Sequence, residues 1–103
     1  MDNVKRMASQ NAVVVFSKST CPMSHAIQTF FHDLGVHPTV HEIDELPNGR
    51  EIERALANLV GRGPPIPATF IGGQFVGPTD KVMSLHLSGK LVPMLRKAGA
   101  LWL

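Results

Sequence analysis

Hydrophobic residues recur with the period of a β-strand in some segments of this chain and with the period of an α-helix in others. The points where the period changes mark the boundaries of the predicted secondary-structure elements. The β-branched run at 12–16 predicts a strand buried on both faces. Apolar residues at helical spacing over 22–34 predict a helix that Gly35 ends, and Pro38 opens a second strand over 39–43. A strand, a helix and a strand within about thirty residues form a crossover unit, which predicts a parallel pair of strands.

The rest of the pattern predicts a hairpin and further helices. The Gly72-Gly73 pair between two short apolar segments is typical of an antiparallel hairpin turn. Asn48 is expected to cap the helix that follows it. These elements are predicted as helices over 2–10, 51–60, 81–87 and 90–98, and as strands over 68–71 and 74–76. The sequence therefore predicts one α/β domain over 1–103, with a mixed sheet flanked by helices and an N-terminal helical segment at 1–11.

Size and cysteine content limit the class of protein. A chain of 103 residues can bury one core without metal or disulfide staples. Its single cysteine cannot form an internal disulfide, so a reducing compartment is expected. The first residues lead into no long apolar segment and the run at 12–16 is too short to cross a bilayer, so we expect an intracellular protein without a membrane partner.

The net charge of +2 is small, but its distribution is uneven. After Asp80 every charged side chain is basic, as Lys81, Lys90, Arg96 and Lys97. This favours an anionic small ligand or an acidic partner, or it complements the dipoles of the last helices. The basic residues are few and no stacking aromatics lie between them, so direct nucleic-acid binding is not expected.

Cys21 is the main candidate for chemistry. It follows the first predicted strand and precedes Pro22, which would be the first residue of the next helix. At such a corner the sulfur lies over unpaired backbone N–H groups, which, with a cation such as Lys18, lower the pKa of a thiol. A lone cysteine can equally be a small buried side chain chosen for packing.

A single redox thiol needs a second thiol from solution, and glutathione is the abundant candidate. Its carboxylates and peptide backbone require a cation, free backbone groups and a helix N-terminus. Lys18, the backbone at Ile66-Pro67 and the helix start at Thr79-Asp80 are the candidates for these roles.

Two neighbouring features could support this site. Ser24 can donate a hydrogen bond to the Cys21 thiolate but cannot release a mixed disulfide, or it is an ordinary residue of the first helical turn. An X–Pro bond is cis in only about 5–6% of folded cases, so frequency alone favours a trans Ile66-Pro67 bond. A cis bond would instead turn the Ile66 backbone toward a peptide ligand.

The histidines give no comparable signal. His37 and His41 are four apart, but on a strand these positions lie about 13 Å from each other. His25, His32 and His86 lack partners at ligand spacing, so surface or packing roles are expected and no metal held by protein side chains is predicted.

The C-terminal region is unusually apolar, with Leu91, Leu95, Leu101, Trp102 and Leu103. Chain ends usually fray, so large apolar residues there either pack into the core or contact a partner. The sequence leaves both alternatives open.

The chain resembles a glutaredoxin, and most closely the plant CC-type (class III) glutaredoxins. The resemblance rests on four segments, which are Phe16-Ser17-Lys18-Ser19-Thr20-Cys21, Ile66-Pro67, Phe70-Ile71-Gly72-Gly73-Gln74-Phe75-Val76-Gly77 and Ala100-Leu101-Trp102-Leu103. It implies a thioredoxin-like fold with a central four-stranded mixed sheet. It also implies that Cys21 is the redox thiol and that Lys18, the Ile66 backbone before a cis Pro67, and Thr79-Asp80 hold glutathione.

The resemblance further implies partners and a place of action. Members of this subfamily bind TGA-group basic-leucine-zipper transcription factors through their C-terminal segment, in nucleus and cytoplasm. Residues 91–95 are similar to the subfamily's leucine motif, with Met94 in place of one leucine. Leu91, Leu95, Leu101, Trp102 and Leu103 are therefore the expected partner contacts, with 99–103 as a docking tail.

Two positions depart from the family pattern. Pro22 stands where the subfamily carries a second cysteine, which gives a Cys-Pro-Met-Ser motif. Glu53 stands where many glutaredoxins carry a polar or basic side chain that binds glutathione, and an acid there is expected to repel the glycyl carboxylate and weaken turnover.

Three functions follow as hypotheses. The first is a monothiol, glutathione-dependent thiol–disulfide oxidoreductase that acts on glutathione mixed disulfides through Cys21. The second is a catalytically weak transcriptional co-regulator that binds TGA factors through its Ala-Leu-Trp-Leu tail. The third is a dimer that holds a 2Fe-2S cluster through two Cys21 thiolates and two glutathiones, against which Pro22 is expected to stiffen the site.

Overall fold

Within residues 2–101 the elements are five α-helices, four strands and one short 3₁₀ turn. A computed structural model describes residues 2–101. In chain order the elements are α1 (Asp2–Ser9), β1 (Val13–Ser17), α2 (Pro22–Asp33), β2 (Thr39–Glu42), the 3₁₀ turn (Ile43–Glu45), α3 (Gly49–Val60), β3 (Ala68–Ile71), β4 (Gln74–Gly77), α4 (Thr79–Leu87) and α5 (Leu91–Lys97).

The four strands form one mixed sheet in the order β2-β1-β3-β4. β1 runs parallel to β2 and antiparallel to β3, with Val15 opposite Val40 on one side and Thr69 on the other. β3 and β4 form the antiparallel hairpin, whose register is irregular between Thr69 and Phe70. The predicted crossover, hairpin and flanked mixed sheet are confirmed.

Both faces of the sheet are covered, and β1 explains why. Val14 and Phe16 belong to a core cluster with α1 and α3, whereas Val13 and Val15 belong to a second cluster with α2, α4 and α5. All five residues of β1 are buried. Every residue of β1 therefore packs in the core, which holds in place the strand that leads to Cys21.

The start of α3 differs from the sequence prediction. Asn48 occupies the N-cap position, but its side chain makes no capping hydrogen bond, because its backbone (φ −100°, ψ 23°) is not extended as a capping residue requires. Instead the helix begins at Gly49, where a Cβ atom would lie against the Ile43 carbonyl oxygen of the 3₁₀ turn. Close contact between turn and helix replaces the predicted cap.

Other boundaries shift by a few residues. β2 ends at Glu42, because Ile43 turns inward and begins the 3₁₀ turn. α4 begins at Thr79 rather than at Lys81, so the Thr79-Asp80 pair forms its first turn. Among the helices described in residues 2–101, none has both the length and the apolar character that a membrane span needs.

Candidate active site

Cys21 lies at the corner between β1 and α2. It is the N-cap residue of α2, with an extended backbone (φ −92°, ψ 112°) and Pro22 in the first turn. Its N–H donates to the Lys18 carbonyl oxygen at 3.0 Å, and its own carbonyl oxygen accepts from the His25 N–H at 3.3 Å. The thiol is free and partly exposed. The predicted strand-to-helix corner is present, with a reachable sulfur at the start of the helix.

Ser24 is the principal neighbour of the sulfur. It lies one turn further along α2 and is fully buried. Its hydroxyl oxygen has no hydrogen-bond partner in the described part of the chain. The hydroxyl hydrogen can rotate, so Oγ–H is free to donate to the thiolate. A buried hydroxyl that can turn toward the sulfur is consistent with the predicted donation to the thiolate, and the role of Ser24 stays a prediction.

The pKa of the Cys21 thiol is lowered from its ordinary value. The side-chain hydroxyl of Ser24 is the largest cause, while burial of the sulfur works against it. The backbone N–H groups of Ser24 and Met23 lower the pKa further, and the positive charge of Lys18 contributes least. The direction of this pKa shift agrees with the sequence prediction of a stabilised thiolate, with the Lys18 charge as the smallest of the causes.

Lys18 is already paired. Its Nζ lies 2.8 Å from Oε2 of Glu53, a residue of α3 that is 35 positions away in the chain. Both side chains are more than one third exposed, at 38% and 36%. An ion pair this exposed contributes only about 0–1 kcal/mol to the free energy of unfolding. It nevertheless places a carboxylate on the cation that was expected to receive an anionic ligand.

A cleft of about 510 Å³ opens beside this pair. Its lining includes Lys18, Glu53, Asp44, Arg50 and Arg54, whereas Cys21 is not among its lining residues. The wall of this cleft therefore carries both signs of charge. A ligand that reached from the sulfur to Lys18 would meet acidic as well as basic side chains.

Asp44 joins the loop before Cys21 to the 3₁₀ turn. Its Oδ2 accepts from the Ser19 hydroxyl at 2.5 Å and its Oδ1 accepts from the Ser19 N–H at 3.1 Å. The hydroxyl of Ser19 is the main reason why the pKa of Asp44 is lowered, and the charge of Lys18 adds to this effect. Sequence analysis missed this contact, because nothing local links residues 25 positions apart.

His25 also holds this loop. Its Nε2 lies 3.1 Å from the Ser19 carbonyl oxygen, so the tautomer with a proton on Nε2 donates a hydrogen bond there. The prediction of a surface role is consistent with its exposed side chain, but the contact with Ser19 was not foreseen.

The other predicted glutathione contacts lie at the same end of the sheet as Cys21. Phe16, near the end of β1, pairs with Ala68 at the start of β3, directly after Ile66-Pro67. Thr69 of β3 pairs with Gly77 at the end of β4, directly before α4. The turn before Cys21, the Ile66-Pro67 segment and the first turn of α4 are therefore brought together by strand pairing.

The Ile66-Pro67 peptide bond is cis. The resemblance implied this isomer, whereas the general frequency of X–Pro bonds favoured trans. Ile66 is 8% exposed and belongs to the core cluster that Cys21 packs against. Ile66 and Cys21 thus belong to one packed region.

Thr79 and Asp80 open α4 as expected. Asp80 is exposed, and the hydroxyl oxygen of Thr79 is buried without a hydrogen-bond partner among the described residues. Asp80 also lines a second cleft of about 390 Å³ with Arg62 and Lys81. This end of the site therefore offers a carboxylate and a helix N-terminus beside two cations.

The predicted partner contacts in α5 need correction. Leu91 and Leu95 are both fully buried in the second core cluster, which gives them a packing role and leaves no surface for direct contact with a partner. Leu101 is partly buried against the same cluster. The predictions for Trp102 and Leu103 lie outside the described residues.

The histidines contact aromatic neighbours. The ring of His37 stands edge-on to that of His32 at 5.3 Å between centroids, and His41 lies 5.5 Å from Phe16, where burial lowers its pKa. Within residues 2–101 no three His, Cys, Asp or Glu side chains come together as a metal site would require.

Comparison with known proteins agrees with this thioredoxin-like architecture. The sequence model of the glutaredoxin family matches residues 13–76. Glutaredoxin-C1 of Oryza sativa subsp. japonica is 64% identical over 102 residues, which cover 99% of each chain. Monothiol glutaredoxin-S5 of Arabidopsis thaliana is 58% identical over 103 residues, the whole of each chain. A crystal structure of a buckwheat glutaredoxin–glutathione complex superposes with a TM-score of 0.91 at 36% identity, covering 98% of this chain and 91% of that one.

The fold and the thiol corner define a thioredoxin-like protein with a single candidate redox cysteine. More specifically, the chain belongs to the glutaredoxin family. The predicted fold and the predicted likeness to plant glutaredoxins of the CC-type are confirmed. The similar proteins include one named monothiol, and the roles of individual residues in this chain stay predictions.

Proposed function

We propose that this protein is a monothiol, glutathione-dependent thiol–disulfide oxidoreductase that reduces glutathione mixed disulfides through Cys21. The observation that carries the proposal is a partly exposed thiol at the N-terminus of α2 whose pKa is lowered by Ser24 and by backbone N–H groups. A thiolate, not a thiol, attacks a disulfide, so the lowered pKa raises the reactive fraction at neutral pH.

The reaction proceeds by two exchanges. The Cys21 thiolate attacks the glutathione sulfur of a mixed disulfide, a Cys21–glutathione disulfide forms, and the substrate thiolate leaves with the electron pair and takes up a proton. The thiolate of a second glutathione then attacks the glutathionyl sulfur on Cys21. Glutathione disulfide leaves and the Cys21 thiolate is restored, so the net reaction converts the mixed disulfide and one glutathione into the substrate thiol and glutathione disulfide.

Ser24 explains why the second exchange uses glutathione. A cysteine in its place could attack the mixed disulfide from within the chain, whereas a hydroxyl cannot. A hydrogen bond from the Ser24 hydroxyl to the sulfur instead makes Cys21 a better leaving group in the second exchange. Cys21 is the catalytic residue and Ser24 is a positioning residue.

Glutathione is proposed to lie across the end of the sheet where these segments meet. Lys18 offers a cation, the Ile66 backbone offers hydrogen-bonding groups to an extended peptide, and the N-terminus of α4 at Thr79 suits a carboxylate. Asp80 is proposed to accept a hydrogen bond from the α-amino group of the γ-glutamyl residue. The glutathione complex of the similar buckwheat glutaredoxin supports this choice of ligand.

The test is reduction of a glutathione mixed disulfide of a small thiol, coupled to glutathione reductase. We expect turnover that depends on glutathione and is lost in Cys21→Ser, with Met23→Leu as a control next to the thiol. Reduction at the same rate by Cys21→Ser would overturn the proposal, as would no reduction by the folded wild-type protein.

A co-regulator of TGA-group transcription factors in nucleus and cytoplasm is proposed as a second function. It is favoured by how the C-terminal tail begins. The Gly99 N–H donates to the Arg96 carbonyl oxygen at 3.0 Å and the Ala100 N–H to that of Leu95 at 2.8 Å, which ends α5 and fixes the point where the tail begins.

Deletion of residues 100–103 tests this second function. We expect loss of binding to a TGA factor with turnover and thermal stability retained. Unfolding of the truncated protein would instead assign these residues to the core, and retained binding would place the interface elsewhere.

A glutathione-ligated 2Fe-2S cluster in a dimer is a further proposal that one accessible thiol per chain permits. Its test is anaerobic purification with iron, sulfide and glutathione. Visible absorption with a dimeric elution volume would support it, and a colourless monomer would overturn it.

A further inference from the structure

We propose that Glu53 makes this site select against a free carboxylate on the glycyl end of the thiol ligand. Thiol ligands whose glycyl carboxyl group is an ester, or an amide as in a longer peptide, should then react with Cys21 faster than glutathione does. The inference rests on the proposed oxidoreductase function and defines the substrate class of the same site.

The first observation is that the cation of the site has a resident anion. Lys18 Nζ and Glu53 Oε2 are 2.8 Å apart, at direct contact distance for an ion pair. A ligand carboxylate can reach Lys18 only by displacing or sharing this partner. Because the pair is exposed and weak, displacement itself is cheap.

The second observation is that Glu53 cannot move far from the ligand. It lies on α3, where the adjacent Ile52 is buried in the core, so the helix is fixed. Glu53 and Lys18 line the same cleft, and a displaced Glu53 carboxylate would still face the ligand's carboxylate across it. Two like charges held there repel each other, and no such repulsion arises with an amide or an ester.

Asp44 increases this effect. It lines the same cleft, is held as an anion by the Ser19 hydroxyl, and lies within the electrostatic reach of Lys18. Lys18 therefore has two carboxylates around it. Arg50 and Arg54 also line the cleft and attract both ligands, so the repulsion acts only close to Lys18. The selection is therefore best measured as a ratio of rates between two ligands rather than as an absolute affinity.

The experiment compares two disulfides that differ only in this charge. Reduced protein is mixed with glutathione disulfide or with the disulfide of glutathione glycyl monoethyl ester, and formation of the Cys21 mixed disulfide is followed by mass spectrometry. In each case the Cys21 thiolate attacks one sulfur and one thiolate leaves. An unfolded peptide with a single cysteine corrects for the intrinsic reactivity of the two disulfides.

The wild-type protein is expected to react faster with the ester after this correction. Glu53→Gln should lower the ester-to-acid ratio about 3- to 10-fold, the range expected when one like charge is removed near a surface. Glu51→Gln is the matched control, because this residue lies on the same helix and lines the same cleft without contacting Lys18. Because Glu51 also lines the cleft but lies off Lys18, its replacement should lower the ratio by less than Glu53→Gln does.

Salt provides an independent readout. The screening length falls from about 8 Å at 0.15 M to about 3 Å at 1 M ionic strength, so the difference between wild type and Glu53→Gln should shrink at high salt. A purely steric effect of the ester would not change in this way.

The outcomes separate the two levels of the proposal. If both disulfides react quickly with Cys21 but the ratio is the same in wild type, Glu53→Gln and Glu51→Gln, the assignment of Glu53 is wrong while the proposed function stands. If neither reacts faster with the folded protein than with the unfolded peptide, the proposed function itself is wrong, and the selection by Glu53 falls with it.

Discussion

Ser24 lies one helical turn beyond Cys21, and its hydroxyl does more than any other group to lower the pKa of the Cys21 thiol. Both residues belong to the start of α2, so the donor is positioned by the helix itself. Because Ser24 is fully buried, water does not compete for its hydroxyl. Reactivity at this corner therefore depends on a side chain that never reaches the substrate.

Replacement of Ser24 by Ala should raise the pKa of Cys21. The expected result is a several-fold slower alkylation by iodoacetamide at pH 6, with little change at pH 10, where the thiol is ionised in both proteins. Stability should change by no more than about 1 kcal/mol, because the lost hydroxyl has no hydrogen-bond partner among the described residues. An unchanged alkylation profile would show that Ser24 does not act on the sulfur.

The lowered pKa of Cys21 also predicts how stability depends on pH. A thiol that ionises more readily when folded stabilises the protein fully above its unfolded pKa of about 8.5, and this contribution is lost as the pH falls through the folded value. The difference in unfolding free energy between wild type and Cys21→Ser should therefore grow from pH 6 to pH 9 under reducing conditions. A difference that is constant or shrinks over this range would contradict the assignment.

Leu95 and Leu87 provide a matched test of burial in the C-terminal helices. Leu95 is fully buried, whereas Leu87 is 84% exposed. Leu95→Ala should destabilise the protein by about 2–5 kcal/mol and Leu87→Ala by no more than about 0.5 kcal/mol, measured by urea unfolding. Equal small effects would restore Leu95 as a candidate surface contact.

Gly49 tests the contact between α3 and the 3₁₀ turn. A glycine within a helix normally gains about 0.5–1 kcal/mol on replacement by Ala. At this position the new methyl group would meet the Ile43 carbonyl oxygen, so Gly49→Ala should destabilise instead, by about 1–3 kcal/mol. Asn58→Ala, at an exposed position of the same helix, is the control and should be neutral or stabilising. Stabilisation by both substitutions would contradict the close contact.

The sequence predicted those parts of the site that depend on local pattern. The β-branched run followed by Cys21-Pro22 predicts a buried strand and the start of a helix. The Gly72-Gly73 turn between two short apolar segments predicts the hairpin of β3 and β4. The order of these elements along the chain then determines how the strands pair. For this reason the turn before Cys21, the Ile66-Pro67 segment and Thr79-Asp80 could be assigned to one site.

Pairwise contacts between distant residues could not be predicted in the same way. The Lys18–Glu53 pair joins residues 35 positions apart, and the Ser19–Asp44 contact joins residues 25 apart. Both depend on how α3 and the 3₁₀ turn pack beside the loop before Cys21. The cis Ile66-Pro67 bond was indicated only by family resemblance, because the general frequency of X–Pro isomers favours trans.

The proposed reaction requires a Cys21 sulfur that is accessible and that ionises at a lower pH than an ordinary cysteine thiol. The most direct measurement is the rate of iodoacetamide alkylation as a function of pH, which reports on one site because the chain has one cysteine. A thiolate that is stabilised in the folded protein will give a midpoint below that of a cysteine in an unfolded peptide. A midpoint at or above the peptide value, or a thiol that does not react until the protein unfolds, would contradict it.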